Sequence, residues 1–388
     1  MKFLIVKLLR QLLVDIYFYS FFILVLLLGT YIYSIEQTTN PFLVPSPTPI
    51  LNPPIFIKET LPMPQGIHLA HAPTITAIDD QHLLVMYFAG SKEGASDVAI
   101  YSSKYDVSTY QWSLPTIVLD RKSLSKASHQ YIRKLGNPVL YNQNGTIQFF
   151  VVATSFAGWA ASKIYQFEST DQGRSFHFKS ALILSPFFNL STLVRTVPQA
   201  LTDGGFLLPV YHEMESKYPL LLLFDKQGVY QGSTKMSKSK GLLQPTLIAI
   251  SPSKGLAAFR NQKGYKQKML VQYCNEGGSS CLKQQETNID NHDSSVNLFY
   301  FYGDVYLVHN TANNNGDRGS LTLSLMNQNN SSFTPILSLD SSKKARVSYP
   351  TAIINGDIVD IVYDKNLNKI KHIRFNKRYL KQLMMKKG

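Results

Sequence analysis

Residues able to do chemistry are spread thinly along this chain. Arg260 and Arg318 stand at the ends of apolar runs, and Arg195 begins another. A guanidinium offers parallel N–H donors to a carboxylate, so arginines gathered from separate runs would build an anion site; otherwise they are surface arginines. Glu93 and Asp97 sit within Glu93-Gly94-Ala95-Ser96-Asp97, and Glu213 follows Pro209-Val210-Tyr211-His212. A carboxyl buried in a cleft beside arginines would have a perturbed pKa and with it a role in proton transfer. The plainer reading has Glu93 and Asp97 capping turns, and Glu213 pairing with Arg195 inside the fold. His71, between a loop and a strand, is either structural or catalytic. Asn137 and Asn310 suit sugar hydroxyls or turns. Cys274 and Cys281 flank the turn-like Asn275-Glu276-Gly277-Gly278-Ser279-Ser280. Outside the cytoplasm they would close a hairpin disulfide; the alternative is two neighbouring thiols. No metal site and no cofactor is expected.

The elements that would position these residues read as all-β. Short apolar runs such as Leu83–Phe88, Ile147–Val152, Leu220–Phe224 and Ile358–Tyr363 alternate with turn strings such as Asn142-Gln143-Asn144-Gly145, Asp203-Gly204-Gly205 and Asn355-Gly356-Asp357. The octapeptide Ser169-Thr170-Asp171-Gln172-Gly173-Arg174-Ser175-Phe176 fits the Asp-box, a hairpin turn in which the Asp caps backbone amides and the Gly takes an angle other residues resist. A repeat surrounds it: strand, Asn/Asp-Gly turn, strand, a Ser-rich strand, then an aromatic. Val98–Ser103 leads to Trp112, Ile164–Ser169 to Phe176, and Leu321–Leu325 to Phe333. Leu222–Asp225 and Val271–Cys274 look like the same strand in two further units, and the strands after Ser348 make a sixth. Four-stranded units of this kind bury their faces by closing into a ring, so a six-bladed β-propeller is expected over 61–378.

Ordered pieces of the chain resemble the sialidase superfamily, in particular bacterial BNR/Asp-box proteins. They include His68–Ile75, Phe88–Val98, Gly136-Asn137-Pro138-Val139, Val194-Arg195-Thr196, Leu207–Glu213, Gln244-Pro245-Thr246-Leu247, Phe259-Arg260, Arg318-Gly319-Ser320-Leu321 and Ser348-Tyr349-Pro350-Thr351. The resemblance implies a carboxylate held by arginines from different blades, a tyrosine nucleophile activated by a glutamate, and a carboxyl acid/base. It gives Arg260 and Arg318 the carboxylate, Tyr349 the tyrosine position, and Glu93, with Asp97 as competitor, the acid/base position. Two positions depart. The first arginine reads His71, and the glutamate partner reads Gln244, which cannot take the tyrosine proton. The expected function is therefore sialidase-like hydrolysis of an anionic terminal sugar, with His71 or Tyr349 in a lyase, or glycan binding without turnover, as the alternatives.

Leu12–Tyr33 is almost wholly apolar, preceded by Lys2, Lys7 and Arg10. About 20 such residues span a bilayer, and the preceding charges place residues 1–11 in the cytoplasm. The expectation is a signal anchor over 12–34 rather than a cleaved signal peptide, with a single-pass protein whose propeller lies on the periplasmic or extracellular side. Eight prolines in 37–65 suggest an extended stalk over 35–60, and a basic tail occupies 379–388. The net charge of +14 suits an anionic glycan or membrane surface. No arginine stripe, zinc-ligand spacing or RNA-binding aromatic signature points to nucleic acid. A monomer is expected.

Overall fold

The computed structural model describes residues 2–34, 40–50, 52–184, 189–262, 268–291, 293–311, 318–327, 329–341 and 346–386. Met1, residues 35–39 and 51 of the expected stalk, and residues 387–388 of the tail lie outside the described set. Two units are present, Met1–Thr39 and Asn40–Gly388. In the first, Lys2–Ser34 is one helix. Its segment Arg10–Leu27 has a mean hydropathy of 1.7 and buries nothing, so it is long and apolar enough to cross a membrane.

The second unit is a six-bladed propeller. The innermost strands of blades one to six are Leu69–Ala77, Lys134–Gln143, Thr192–Val194 with Gln199–Ala200, Leu242–Ser251, Asn297–Phe301 and Val347–Asn355. Each continues outward through antiparallel neighbours. The central strands are continuous apolar runs because both their faces are covered. Strand residues alternate between faces, and here the faces belong to different interfaces. Leu83, Val85 and Tyr87 pack towards blade six, while Leu84, Met86 and Phe88 pack towards blade two. Ile147, Phe149 and Val151 join that same cluster, and Phe150 and Val152 enter the next. One apolar cluster fills each junction between neighbouring blades. With roughly 1.5–3 kcal/mol for each large apolar side chain buried, these wedges are the main force closing the ring.

The turn at residues 169–176 has the hydrogen bonds its sequence demands. Asp171 Oδ1 accepts from the N–H groups of Arg174 and Ser175, both at 3.0 Å, and from Ser169 Oγ at 2.7 Å. These donors, led by the Ser175 amide, hold its carboxyl far below the usual range. Gly173 has φ +71°, an angle that favours glycine, and a Cβ there would sit 2.8 Å from Leu84 Cδ2, so that side chain would have to shift.

The segment expected as a free stalk is bound to the propeller along its described length. Phe42 is fully buried, bridges Leu201 and donates its N–H to Pro252 O at 2.8 Å. Thr48 meets Tyr302, and Asn52 reaches Asp357 at 3.1 Å. Phe56–Thr60 then adds to Lys369–Asn376 as the outermost strand of blade six. Prolines lack the N–H a central strand needs but tolerate an edge, so a proline-rich segment can still strap blades three to six. The domain begins by residue 40, not 61. At the other end, the expected basic tail includes a helix, Lys377–Met385, capped by Asn376 and anchored by buried Leu380. Cys274 and Cys281 are joined by a disulfide across the Gly277–Gly278 turn.

Candidate active site

The starts of the innermost strands converge on a cavity of about 240 Å³. Its lining includes His71, Glu93, Asn137, Trp159, Tyr211, Glu213, Gln244, Arg260, Arg318, Arg346 and Tyr349. The far ends of these strands border a larger, mainly apolar cavity of about 570 Å³, beside Leu43 and Pro45 of the N-terminal strap.

A local device repeated around the ring aims residues into the site. In blades one, two, four and six the innermost strand bulges at an X-Pro step: Ala72-Pro73, Asn137-Pro138, Gln244-Pro245 and Tyr349-Pro350. The proline removes a ladder donor, and the extra residue turns the chain towards the axis. Ala72, Gln244 and Tyr349 take φ of 51°, 46° and 55° there. Such left-handed angles in non-glycine residues carry strain that neighbouring contacts must hold. The threonine after the proline ties adjacent blades. Thr74 Oγ1 accepts from Leu140 N–H at 3.1 Å, Thr246 Oγ1 from Asn297 Nδ2 at 3.2 Å, and Thr351 Oγ1 donates to Pro73 O at 2.8 Å.

At the centre, the Tyr349 phenol oxygen accepts from Gln244 Nε2 and Arg260 Nη1, each at 3.2 Å. Gln244 Nε2 also reaches Tyr211 OH at 3.5 Å, and its Oε1 is buried without a partner. Arg260 is gripped in fork fashion by Asp293, with Nε to Oδ1 at 2.7 Å and Nη2 to Oδ2 at 3.0 Å. Burial opposes its charge, but Tyr349 and Asp293 outweigh burial and raise its pKa above the ordinary value. Arg318 Nη2 donates to the Asp293 carbonyl, and its Nη1 is buried with no hydrogen-bond partner among the described residues. Burial, aided by Arg260, lowers its pKa to about 10. Arg346, exposed, completes a trio of guanidinium groups at the cavity.

Of the carboxyls, Glu93 and Glu213 line the cavity and Asp97 does not. Burial raises the Glu213 carboxyl, opposed by Lys217 and Arg260. Asp97 instead accepts Ser91 N–H and Oγ, both at 2.9 Å, and the Ser91 hydroxyl lowers its pKa. The acid/base role expected for Asp97 thus gives way to turn capping, because both its oxygens are spent on Ser91.

Arg195 also departs from expectation. It neither lines the cavity nor pairs with Glu213. Only 1 % exposed, it lies beneath Tyr349, 4.9 Å from the ring centroid. Nη1 donates to Thr351 Oγ1 at 2.9 Å, and Nη2 to the carbonyls of Tyr349 and, at 3.3 Å, Pro350. Nη1 also lies 3.4 Å from Pro73 O. Blade three thus reaches across the axis to blades six and one. Burial lowers the Arg195 pKa to about 10, so it stays charged at neutral pH. Asn137 lines the cavity while its Nδ2 donates to Val194 O at 3.1 Å. Asn310 is structural, donating to Ser320 O and Val347 O.

His71 Nδ1 lies 3.0 Å from Asp364 Oδ2, close but out of line for a hydrogen bond. Its ring stands edge-on to Phe88 and 4.2 Å from the Tyr349 ring. Arg346, Asp293, Tyr211, Trp159 and Asp364 were not singled out from sequence. Arg346 had a signal, three residues before Tyr349. Asp293 and Asp364 had none, since each acts only through a partner brought from a distant part of the chain. Trp159 fits because Gly136 makes room: a Cβ there would lie 2.8 Å from the indole.

An all-β ring of this kind, with a polar cavity at one mouth, defines a sialidase-like propeller. The family of BNR repeat-like domains matches residues 81–361, and the chain belongs to it. Among solved structures, a Dyadobacter fermentans protein of unknown function is similar at 12% identity and TM-score 0.65, covering 82% of this chain and 98% of its own. Trypanosoma rangeli sialidase is similar at 13% identity and TM-score 0.63, over 86% of this chain and 61% of its own. The NanB sialidase of Streptococcus pneumoniae is similar at 12% identity and TM-score 0.63, over 85% and 72%. The chain therefore spans about three fifths of the trypanosomal enzyme, and identities this low speak for the fold alone. No curated protein is matched in sequence.

Proposed function

We propose that this protein is a membrane-anchored glycoside hydrolase that removes an anionic terminal sugar from a glycan. The observation that carries the reading is the Tyr349 oxygen, held by Arg260 and Gln244 in a cavity lined also by Arg318 and Arg346. Arg318 and Arg346 offer donors to a sugar carboxylate. Arg260, already committed to Asp293, steadies Tyr349 beside the anomeric carbon. Glu213 or Glu93 supplies the proton to the departing oxygen, and the raised pKa of Glu213 suits that task. At about 240 Å³ the cavity is smaller than the roughly 300–1,000 Å³ of sites for drug-sized ligands, which favours a single terminal residue over an oligosaccharide. The T. rangeli sialidase has been solved with sialic acid, and a sugar of that carboxylate-bearing class is the first to try. The N-terminal helix would be the anchor, with the propeller on the periplasmic or extracellular side.

One observation favours a second reading, glycan binding without turnover: Gln244 donates to Tyr349 where catalysis through the tyrosine needs a proton acceptor. The test is full-length chain in detergent with fluorogenic α-ketosides of sialic acid and related sugar acids. Hydrolysis abolished by Tyr349→Phe is the expected result. Retained binding with no released sugar selects the second reading, and unsaturated product selects a lyase.

A further inference from the structure

The cavity holds a base that the arginine and tyrosine roles leave unused. Among the described residues Tyr349 meets only donors at its oxygen, Gln244 Nε2 and Arg260 Nη1. An amide nitrogen accepts no proton, and an amide oxygen in its place is far too weak a base to hold one. His71 lines the same cavity, one bulge away on blade one, with its ring 4.2 Å from the Tyr349 ring. Behind it stands Asp364, fully buried, 3.0 Å from Nδ1 and hydrogen-bonded by Ser348 Oγ at 3.0 Å. Ser348 and Asp364 face each other in the strand register of blade six. The blade that presents Tyr349 thus also orients the carboxylate behind His71. The Asp364 carboxylate, 3.0 Å from Nδ1, favours the proton on that nitrogen by its charge and leaves the other nitrogen to accept. The charged and titratable groups facing His71 are Asp364, Tyr349 and, beneath the phenol ring, Arg195.

We propose that His71, oriented by Asp364, is the base that activates the attacking water, so that hydrolysis inverts the anomeric centre instead of passing through a tyrosyl intermediate. The inference rests on the hydrolase reading above. In the step, a water O–H gives its proton to His71 Nε2 as the water oxygen bonds to the anomeric carbon. The glycosidic C–O bond breaks, its electron pair leaves on the departing oxygen, and that oxygen takes the proton of the Glu213 carboxyl. Proton exchange with solvent restores neutral His71 and protonated Glu213. His71 is then a catalytic residue and Asp364 a positioning one. Tyr349 stabilises positive charge developing at the anomeric carbon.

The experiment uses the full-length chain in detergent and a fluorogenic α-ketoside, following the first-formed anomer by proton NMR. The expected first product is the inverted β anomer. His71→Ala should lower kcat by about 10²–10⁴-fold with KM little changed, and added imidazole should restore part of it. Asp364→Asn should lower kcat while sparing KM. A first-formed α anomer, read on the unaltered protein and so independent of any variant's folding, overturns the proposal while the hydrolase reading stands. So does undiminished kcat in His71→Ala where Tyr349→Phe is dead. Absence of turnover on every ketoside overturns both.

Discussion

Arg260 and Arg346 differ in what they have left to give a ligand. Arg260 spends Nε and Nη2 on Asp293 and Nη1 on Tyr349, so its fork is closed. Among the described contacts Arg346 engages only its backbone, whose N–H donates to Asn366 Oδ1 at 3.0 Å and whose carbonyl accepts from Asn366 N–H at 2.7 Å. Removing Arg346 should therefore cost binding and little else. A hydrogen bond to a charged group contributes about 1.5–3 kcal/mol, so Arg346→Ala should weaken affinity for a sugar acid by roughly 10- to 150-fold in calorimetric titration while the unfolding midpoint stays put. Arg260→Ala should instead release Asp293 and Tyr349 together, lowering turnover as well as affinity. The sequence made Arg260 and Tyr349 legible through their X-Pro and strand-end contexts. It could not display Asp293 or Asp364, whose meaning is a side chain 2.7 or 3.0 Å away on another strand.

At the scale of elements, the strand Phe56–Thr60 closes the ring, and its seam contains ionisable groups. His372, fully buried, holds Asp360 Oδ1 at 2.7 Å, and Glu59 of the closing strand lies 3.9 Å from its other nitrogen. Glu59 in turn accepts from Trp112 Nε1 of blade one at 3.1 Å, and Arg374 shares Asp360 at 2.7 Å. Burial pushes the His372 pKa down, but the hydrogen bond to Asp360 and the nearby Glu59 carboxylate outweigh it, and the net shift is upward. A histidine whose folded pKa exceeds its unfolded value of about 6.5 stabilises fully below that value and loses the contribution as pH rises through the folded pKa. Stability to urea should therefore decline as pH is raised from about 6.5 through that folded pKa, and His372→Gln should flatten the decline. The strap gives a second test: Phe42→Ala empties a fully buried site and should cost about 3–5 kcal/mol in denaturant unfolding. A free stalk would lose nothing.

Across the whole molecule, Arg195 joins opposite sides of the ring. It lies under the site and ties blade three to the bulge that carries Tyr349. Arg195→Met keeps much of the volume but strands buried carbonyls at roughly 1–3 kcal/mol each. The expected outcome is a lower thermal midpoint together with lost turnover at nearly unchanged Arg318 and Arg346 binding. Equal loss of ligand affinity and turnover would instead mark Arg195 as a ligand contact.

The sequence by itself determined the blade count, the up-and-down strand order and the turn at Asp171. Those follow from local periodicity and turn chemistry: apolar runs that alternate between two faces, and glycines where only glycine fits. It also marked Tyr349, through its Ser-Tyr-Pro context, and Gln244, His71 and Asn137, through resemblance to the sialidase superfamily. Tertiary structure alone decided which of them meet and what they do. Arg195 became a buried brace because ring closure brings its strand end opposite blade six. Asp97 became a cap because Ser91 stands in reach. The proline-rich stretch became a strap and a closing strand because the last blade lacks an outer strand until the N-terminal segment returns to supply it. Proximity across hundreds of residues is set by packing of the blades, and no local pattern in the chain encodes it.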